Sequence, residues 1–304
     1  MARIGVDLGG TKIEVAVLGP DHDIVYRKRV PTPPGYTDKI LAIRALVGDA
    51  ETELGLTQAL VGVGHPGSHN RRTGLIRNAN STSLNGQPLQ ADLQAALARP
   101  VRCANDANCF ALSEARDGAG RGARTVFGVI LGTGVGGGLV IEGRIHEGHD
   151  ANGGEWGHMG LPWPEAGEVP GPACKCGLCG CVEAWCSGPA LAADHHRISG
   201  ESLKADDIAV RARSGDPAAM ASLDRHSGRV ARGLANVVNL IDPEVIVLGG
   251  GLSNLPGLAE TLQARLGQWT FTDEPVTRVV KNHHGDSSGV RGAAWLWPGD
   301  GGAP

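Results

Sequence analysis

The sequence predicts an α/β protein of two related lobes facing a cleft, and three observations carry that expectation. Strand-like and helix-like segments alternate along both halves of the chain. The opening unit, strand–glycine turn–strand in RIGVDLGGTKIEVAVLG, returns about 120 residues later as VFGVILGTGVGGGLVIEG, and a repeated supersecondary unit implies lobes of related build. The 47 glycines gather in clusters at the ends of apolar runs, which points to loop chemistry rather than low-complexity disorder.

Taken in order, Ile4 and Val6, then Ile13, Val15 and Val17, show the period of two that predicts paired strands. DIVYRKRVPTP predicts a third strand ending at prolines. Ile40, Leu41, Ile43, Ala45, Leu46 and Val47 predict a helix over Thr37–Leu54. ALVGVGHPG predicts a short apolar strand ending in a loop at Pro66 and Gly67. VRCANDANCFALSEARDG reads as a strand that breaks at Asn105-Asp106 into a helix, because Asn and Asp side chains satisfy the orphan amides of a helix start. GAGRGAR then marks a boundary between residues 1–120 and a larger lobe over 121–287. Val230, Leu234, Val237, Val238 and Ile241 predict a helix running into Pro243, followed by the strand VIVLGGG. A closing helix over about 288–298 is expected to complete the first lobe. The terminal GDGGAP reads as a disordered end.

Bulk properties exclude several classes. A chain of 304 residues with 41% hydrophobic and 20% charged residues has the make-up of a soluble globular protein. A net charge of -4 leaves no electrostatic footprint for nucleic acid. No apolar run approaches the ~20 residues that span a bilayer, so no membrane partner is expected. The N-terminus enters a strand without a cleavable signal pattern, which implies the cytoplasm and reduced thiols.

Three glycine turns suggest phosphate chemistry. DLGGTK supplies Gly9, Gly10, Thr11 and Lys12, with Asp7 at a strand end suited to Mg²⁺. LGTGVGGG supplies Gly132, Thr133, Gly134, Gly136 and Gly137, and LGGGLSN supplies Gly250 and Asn254. Neither GxxxxGK[ST] nor GxGxxG with a distant acidic partner is matched, so P-loop and dinucleotide readings are weak. Together the three segments resemble the phosphate and adenosine segments of the sugar kinase–actin–heat-shock ATPase fold, a duplicated ribonuclease H-like, actin-like ATPase architecture. That resemblance implies two lobes closing over ATP and Mg²⁺.

A sugar hydroxyl needs a carboxylate to take its proton, and Asp106 stands at the strand-to-helix junction where such a base belongs. Glu155, Glu183, Asn105 and Asp106 offer the carboxylates and amide suited to neighbouring hydroxyls. His158 can serve sugar, metal or both. CKCGLCGCVE then places four cysteines within eight residues. In a reduced compartment this leaves metal or redox chemistry, and the glycine-rich loop lacks the helix that opens a redox pair. Cys174, Cys176, Cys181 and His158 are the candidate ligands of a structural zinc, with Cys179 as a substitute.

The Gly157-His158 pair followed by CxCGxxGCxE is similar to the signature of the ROK family of bacterial sugar kinases and repressors. The resemblance runs from IGVDLGGTK to HGDSSGVRGAAWLW. It implies zinc on His158, Cys174, Cys176 and Cys181, with Cys179 at a variable position. It further implies Asp106 as catalytic base and sugar contacts at Asn105, Glu155, His158 and Glu183. Pro66, Gly67 and Asn80 are added as candidate sugar contacts, Asn80 because NANSTSLNGQP lies by the sugar site in this family. PTP, NANSTSLNGQPL and NDANCFALSEA resemble the fructokinase (mannokinase-type) branch, so ATP-dependent phosphorylation of fructose at its 6-hydroxyl, with mannose as a second substrate, is the first expectation. N-acetylglucosamine kinase is the alternative. A homodimer is implied by the family alone. Two other classes are weighed: a sugar-responsive regulator, disfavoured because the first strand leaves no room for a preceding helix-turn-helix, and a zinc-stapled sugar binder, disfavoured because Asp106 and the phosphate turns are intact.

Overall fold

The computed structural model describes residues 2–272 and 274–297; the terminal GDGGAP lies outside them. The first half contains β1 (Arg3–Leu8), β2 (Lys12–Leu18), β3 (Ile24–Pro31), α1 (Tyr36–Leu54), β4 (Leu60–His65), the short β5 (Ser68–His69) and β6 (Ile76–Arg77), α2 (Leu89–Leu97), β7 (Val101–Asn105) and α3 (Asp106–Arg116). The second contains β8 (Thr125–Leu131), β9 (Val135–Ile141), β10 (Arg144–Ile145), α4 (Val182–Cys186), α5 (Gly188–Ser199), α6 (Ala205–Arg213), α7 (Pro217–Ile241), β11 (Val245–Gly249), α8 (Leu258–Leu266), β12 (Arg278–Lys281) and α9 (Ser288–Ala294).

The expected repeat is a repeat of topology. One five-stranded sheet has the order β3-β2-β1-β4-β7, the other β10-β9-β8-β11-β12. In each, the first three strands form an antiparallel meander and the last two join in parallel. The parallel strands β4 and β11 are buried on both faces, which is why LVGVGH and VIVLG read as continuous apolar runs rather than as alternations. Each sheet has its own core: Ile4, Val15, Ile43 and Leu93 belong to one, Phe127, Leu131, Leu234 and Ile246 to the other. Local chemistry sets the helix ends. Asp216 caps α7 by accepting from the amides of Ala218 (2.9 Å) and Ala219 (3.2 Å), and Pro217 occupies the first turn, where its missing N–H is no loss.

The chain exchanges helices between the halves. α3 follows β7 of the first sheet yet lies on the second, where a Cβ on Gly138 would stand 2.5 Å from the Ala107 carbonyl and one on Gly128 2.7 Å from the Ala107-side neighbour Ala111. α9 returns to the first sheet. A Cβ on Gly5 would collide with the Val290 carbonyl, one on Gly62 with that of Ala293, and one on Gly292 with that of Cys109. α9 thus packs on the first sheet, whereas α3, which follows β7 in the chain, packs on the second. These two helices pack on each other and form the seam between the sheets. Among the described residues, no helix is long and apolar enough to cross a membrane.

Candidate active site

Asp106 opens α3, at the seam. Its carboxylate accepts the Ala107 amide at 2.9 Å, in the favourable field of a helix N-terminus. Burial pushes its pKa from 3.8 up to about 6, and the charge of Glu155 adds to the rise. Asp7, near the end of β1, goes further, to about 7, through burial first and then the charges of Asp106 and Glu14. Two carboxyls carried by the first sheet, Asp7 on β1 and Asp106 just past β7, therefore lie close enough to repel each other. Such a donor set suits a hard divalent cation, which would relieve the repulsion, so Asp7 fits its expected part in holding Mg²⁺.

Asn105 has another task. Its Oδ1 accepts the amides of Ala107 (2.8 Å) and Asn108 (3.3 Å), and its Nδ2 donates to the Gly67 carbonyl at 3.0 Å. The side chain caps α3 and ties it to the Pro66-Gly67 loop, leaving at most one free N–H. Gly67 is required there: its φ is +79°, and a Cβ would lie 2.5 Å from the Arg77 carbonyl.

The three glycine segments divide by role. Gly9 closes the β1–β2 turn by donating to the Lys12 carbonyl at 3.0 Å, and Gly10 and Thr11 stand exposed at its tip. The Lys12 ammonium lies 3.9 Å from Glu14, a buried carboxylate also held by Arg27 and Arg29. Gly132, Thr133 and Gly134 form the β8–β9 turn, closed from the Gly132 amide to the Gly134 carbonyl at 2.9 Å. Gly136 and Gly137 do not share that turn. They are strand residues paired with Ile130 and Val129, and a Cβ on Gly137 would meet Trp156 at 2.6 Å and the Gly154 carbonyl at 2.7 Å. A Cβ on Gly137 has no room there, whereas one on Gly136 would lie at ordinary contact distance, 3.4 Å from the Ala107 Cβ. Gly250, at φ +80°, presses on the Leu131 backbone beside the second turn, so two of the three segments are neighbours. Asn254 is turned back, its Nδ2 donating to the Gly251 carbonyl at 3.2 Å.

The cysteine loop brings four donors together. The ligand atoms of His158, Cys174, Cys176 and Cys181 all lie within 4.8 Å of one another. Cys174 Sγ is 3.5 Å from His158 Nδ1, and Cys176 Sγ is 3.6 Å from Cys181 Sγ. A tetrahedron with metal–sulfur bonds of about 2.3 Å has edges of about 3.8 Å, so the set fits zinc. The Leu178 amide lowers the Cys176 pKa, as support for a thiolate should. Cys179 stays outside the set, its backbone bridging Ala173. Cys181 is also the N-cap of α4, whose first turn carries Glu183. The metal would therefore fix the two segments that carry His158 and Glu183, the Trp156–His158 turn and the start of α4. Its chemistry is structural, with no open position among four protein ligands.

Comparison with known proteins matches residues 3–300 to the ROK family. The chain belongs to the ROK family. An N-acetyl-D-glucosamine kinase of Yersinia pseudotuberculosis is 41% identical over 96% of this chain and 97% of its own. Among solved structures, a ROK hexokinase from Thermus thermophilus is 34% identical with a TM-score of 0.85, covering 97% of both chains. A ROK family glucokinase from Streptomyces griseus, in complex with glucose and AMPPNP, is 30% identical with a TM-score of 0.79, covering 97% of this chain and 99% of its own. The two-lobed, actin-like sugar kinase fold follows from these likenesses and from the duplicated sheet order.

Within this ROK site, sequence reasoning missed the bonds across the cleft. Glu183 accepts the Val135 amide at 2.9 Å with one oxygen and holds the Lys175 ammonium at 3.2 Å with the other. Lys175 also donates to Asn80 Oδ1, at 3.2 Å. Arg71 pairs with Glu147 at 2.9 Å, and Arg77 with Asp150 at 3.2 Å. Glu155 stays exposed. Beneath α4, Glu168 is buried between Arg229 (2.7 Å) and Arg232 (2.8 Å), and Arg229 stacks over Trp185 at 4.5 Å. A lone lysine between two cysteines and scattered loop charges carry no periodic signal.

Proposed function

We propose that this chain is an ATP-dependent hexose kinase acting on a sugar 6-hydroxyl, with N-acetyl-D-glucosamine as its substrate. The observation that carries the kinase reading is Asp106: a helix-start carboxyl raised to about 6, facing a second carboxyl suited to Mg²⁺. A base tuned near the working pH is what proton removal from a weakly acidic hydroxyl requires. Asp106 takes the O6 proton, O6 bonds to the γ-phosphorus in line, the bond to the bridging oxygen breaks, and ADP leaves. Mg²⁺ supplies charge neutralisation at the phosphates when bound. Gly9, Gly10, Thr11, Lys12, Gly132, Thr133, Gly134 and Gly250 contribute the nucleotide side; Gly67, Asn80, Glu155, His158 and Glu183 contribute the sugar side. The two lobes, each built on one five-stranded sheet, close and exclude water, which competes as nucleophile.

Sugar choice rests on different support. Segments such as NANSTSLNGQPL favour fructose, but the relative at 41% identity over nearly the whole chain is named an N-acetyl-D-glucosamine kinase, and this moves the reading to that sugar. The test is ADP release with ATP and a panel of N-acetylglucosamine, glucose, mannose and fructose. A kcat/KM for N-acetylglucosamine at least about tenfold above the others supports the reading, since about 1–3 kcal/mol is what one changed pocket contact yields. A preference for fructose restores the first expectation from the sequence. No ADP release with any sugar overturns both.

A further inference from the structure

A cavity of about 360 Å³ lies on the seam, lined by residues of β7, α3, the β9–β10 hairpin and the segment after α9. None of its lining residues belongs to the expected nucleotide, sugar or zinc sets. Three arginines line it from three elements: half-buried Arg102 from β7, and exposed Arg116 from the last turn of α3 and Arg144 from β10. Arg102 is oriented by stacking on Trp297 at 4.4 Å and by donating to the Leu296 carbonyl at 2.8 Å. Arg116 is held between the Trp295 ring, 5.9 Å away, and the Gly143 turn, where a Cβ would lie 3.7 Å from its guanidinium carbon. Among the described residues, none of the three has a carboxylate within ion-pair distance. The one acid in the lining, Glu147, is already paired with Arg71. Burial and the charges of Arg3 and Arg144 push the Arg116 pKa down, the mark of positive charge without compensation.

We propose that this cavity is a binding site for a small phosphorylated anion, clasped by Arg102, Arg116 and Arg144. Three planar cations arriving from different directions match the oxygens of a phosphate group better than the two of a carboxylate. Its volume suits a small organic molecule, and Trp295, Leu112 and Ile145 offer a wall for the carbon body of a phosphate ester. The site touches the helix that begins with Asp106 and the hairpin that leads towards Glu155, so an occupant joins both halves of the chain.

The test compares the full chain with the double variant Arg116→Gln/Arg144→Gln, using inorganic phosphate and glucose 6-phosphate at constant ionic strength. Calorimetry should give the wild type a phosphate site with a Kd of about 1 mM or tighter that the variant lacks. Thermal melts should show a ligand-dependent rise of about 3 °C at ten times Kd in the wild type only. Without anion, the variant should melt at or above the wild type, because like charges have been removed. Arg116→Lys/Arg144→Lys should keep part of the binding. Tighter binding of glucose 6-phosphate than of phosphate assigns the apolar wall to an ester; equal binding assigns the site to the phosphate group alone. An equal response in wild type and Gln variant places the anion in the catalytic cleft and overturns the proposal, as does no binding at all. Neither result bears on the kinase reading, which the sugar panel decides separately.

Discussion

Replacing Asp106 with Asn should damage catalysis and stabilise the fold at the same time. The carboxyl is raised from 3.8 to about 6 by burial, which corresponds to about 3 kcal/mol of penalty on its ionised form. The sign follows from linkage. Below pH 3.8 the group is neutral in both folded and unfolded chains and the penalty is absent. It grows as pH rises from 3.8 to 6 and is full above pH 6. Asn is never charged, so at pH 8 the variant escapes the penalty, less what it loses in acceptor strength towards the Ala107 amide. A net gain of about 1–2 kcal/mol, or a melting temperature higher by about 2–6 °C, is expected, shrinking to nothing by pH 4. The same change should lower kcat by about 10²–10⁴-fold. In the wild type, kcat/KM should fall below about pH 6 as Asp106 is protonated, and the residual activity of the variant should lack this limb. Coupled ADP assays and calorimetry across pH 4–9 measure both sides. Retention of more than about a tenth of the activity would remove Asp106 as base, and a variant less stable than wild type at pH 8 would refute the burial argument.

Removing the metal with a chelator, or Cys181→Ser, should raise the sugar KM by about tenfold or more while nucleotide binding persists, because the cluster fixes His158 and Glu183 rather than the glycine turns; metal analysis beside separate sugar and ATP titrations checks it. Lys175→Met should raise the sugar KM by about 2–5-fold with bound metal unchanged, a modest effect because the side chain is half exposed. Glu168→Gln should cost about 1–3 kcal/mol in urea unfolding, since Arg229 keeps Asp194 at 3.1 Å while buried Arg232 loses its carboxylate partner.

The candidate site residues stand out in the sequence because their signals are local. Asp106 announces itself as the residue after a capping Asn at a strand end, and the two signals coincide because Asn105 caps the helix that Asp106 begins. The cysteine spacing likewise confines the candidate metal ligands to one loop and one preceding histidine. Gly137 shows the converse. A glycine needed for a turn and one needed for a neighbour look alike in one dimension, and only Trp156 and the Gly154 carbonyl reveal which it is.

The sequence by itself determined the alternation of strands and helices, the duplicated unit, the turns and the metal motif. Each depends on side-chain period or backbone freedom over a few residues. Only the tertiary structure decided that α3 crosses to the second sheet, that Lys175 reaches Asn80 and Glu183, and that Arg102, Arg116 and Arg144 meet at one cavity. Those arrangements join residues far apart in the chain, and such contacts are selected by the packing of whole elements, which no short window of sequence encodes.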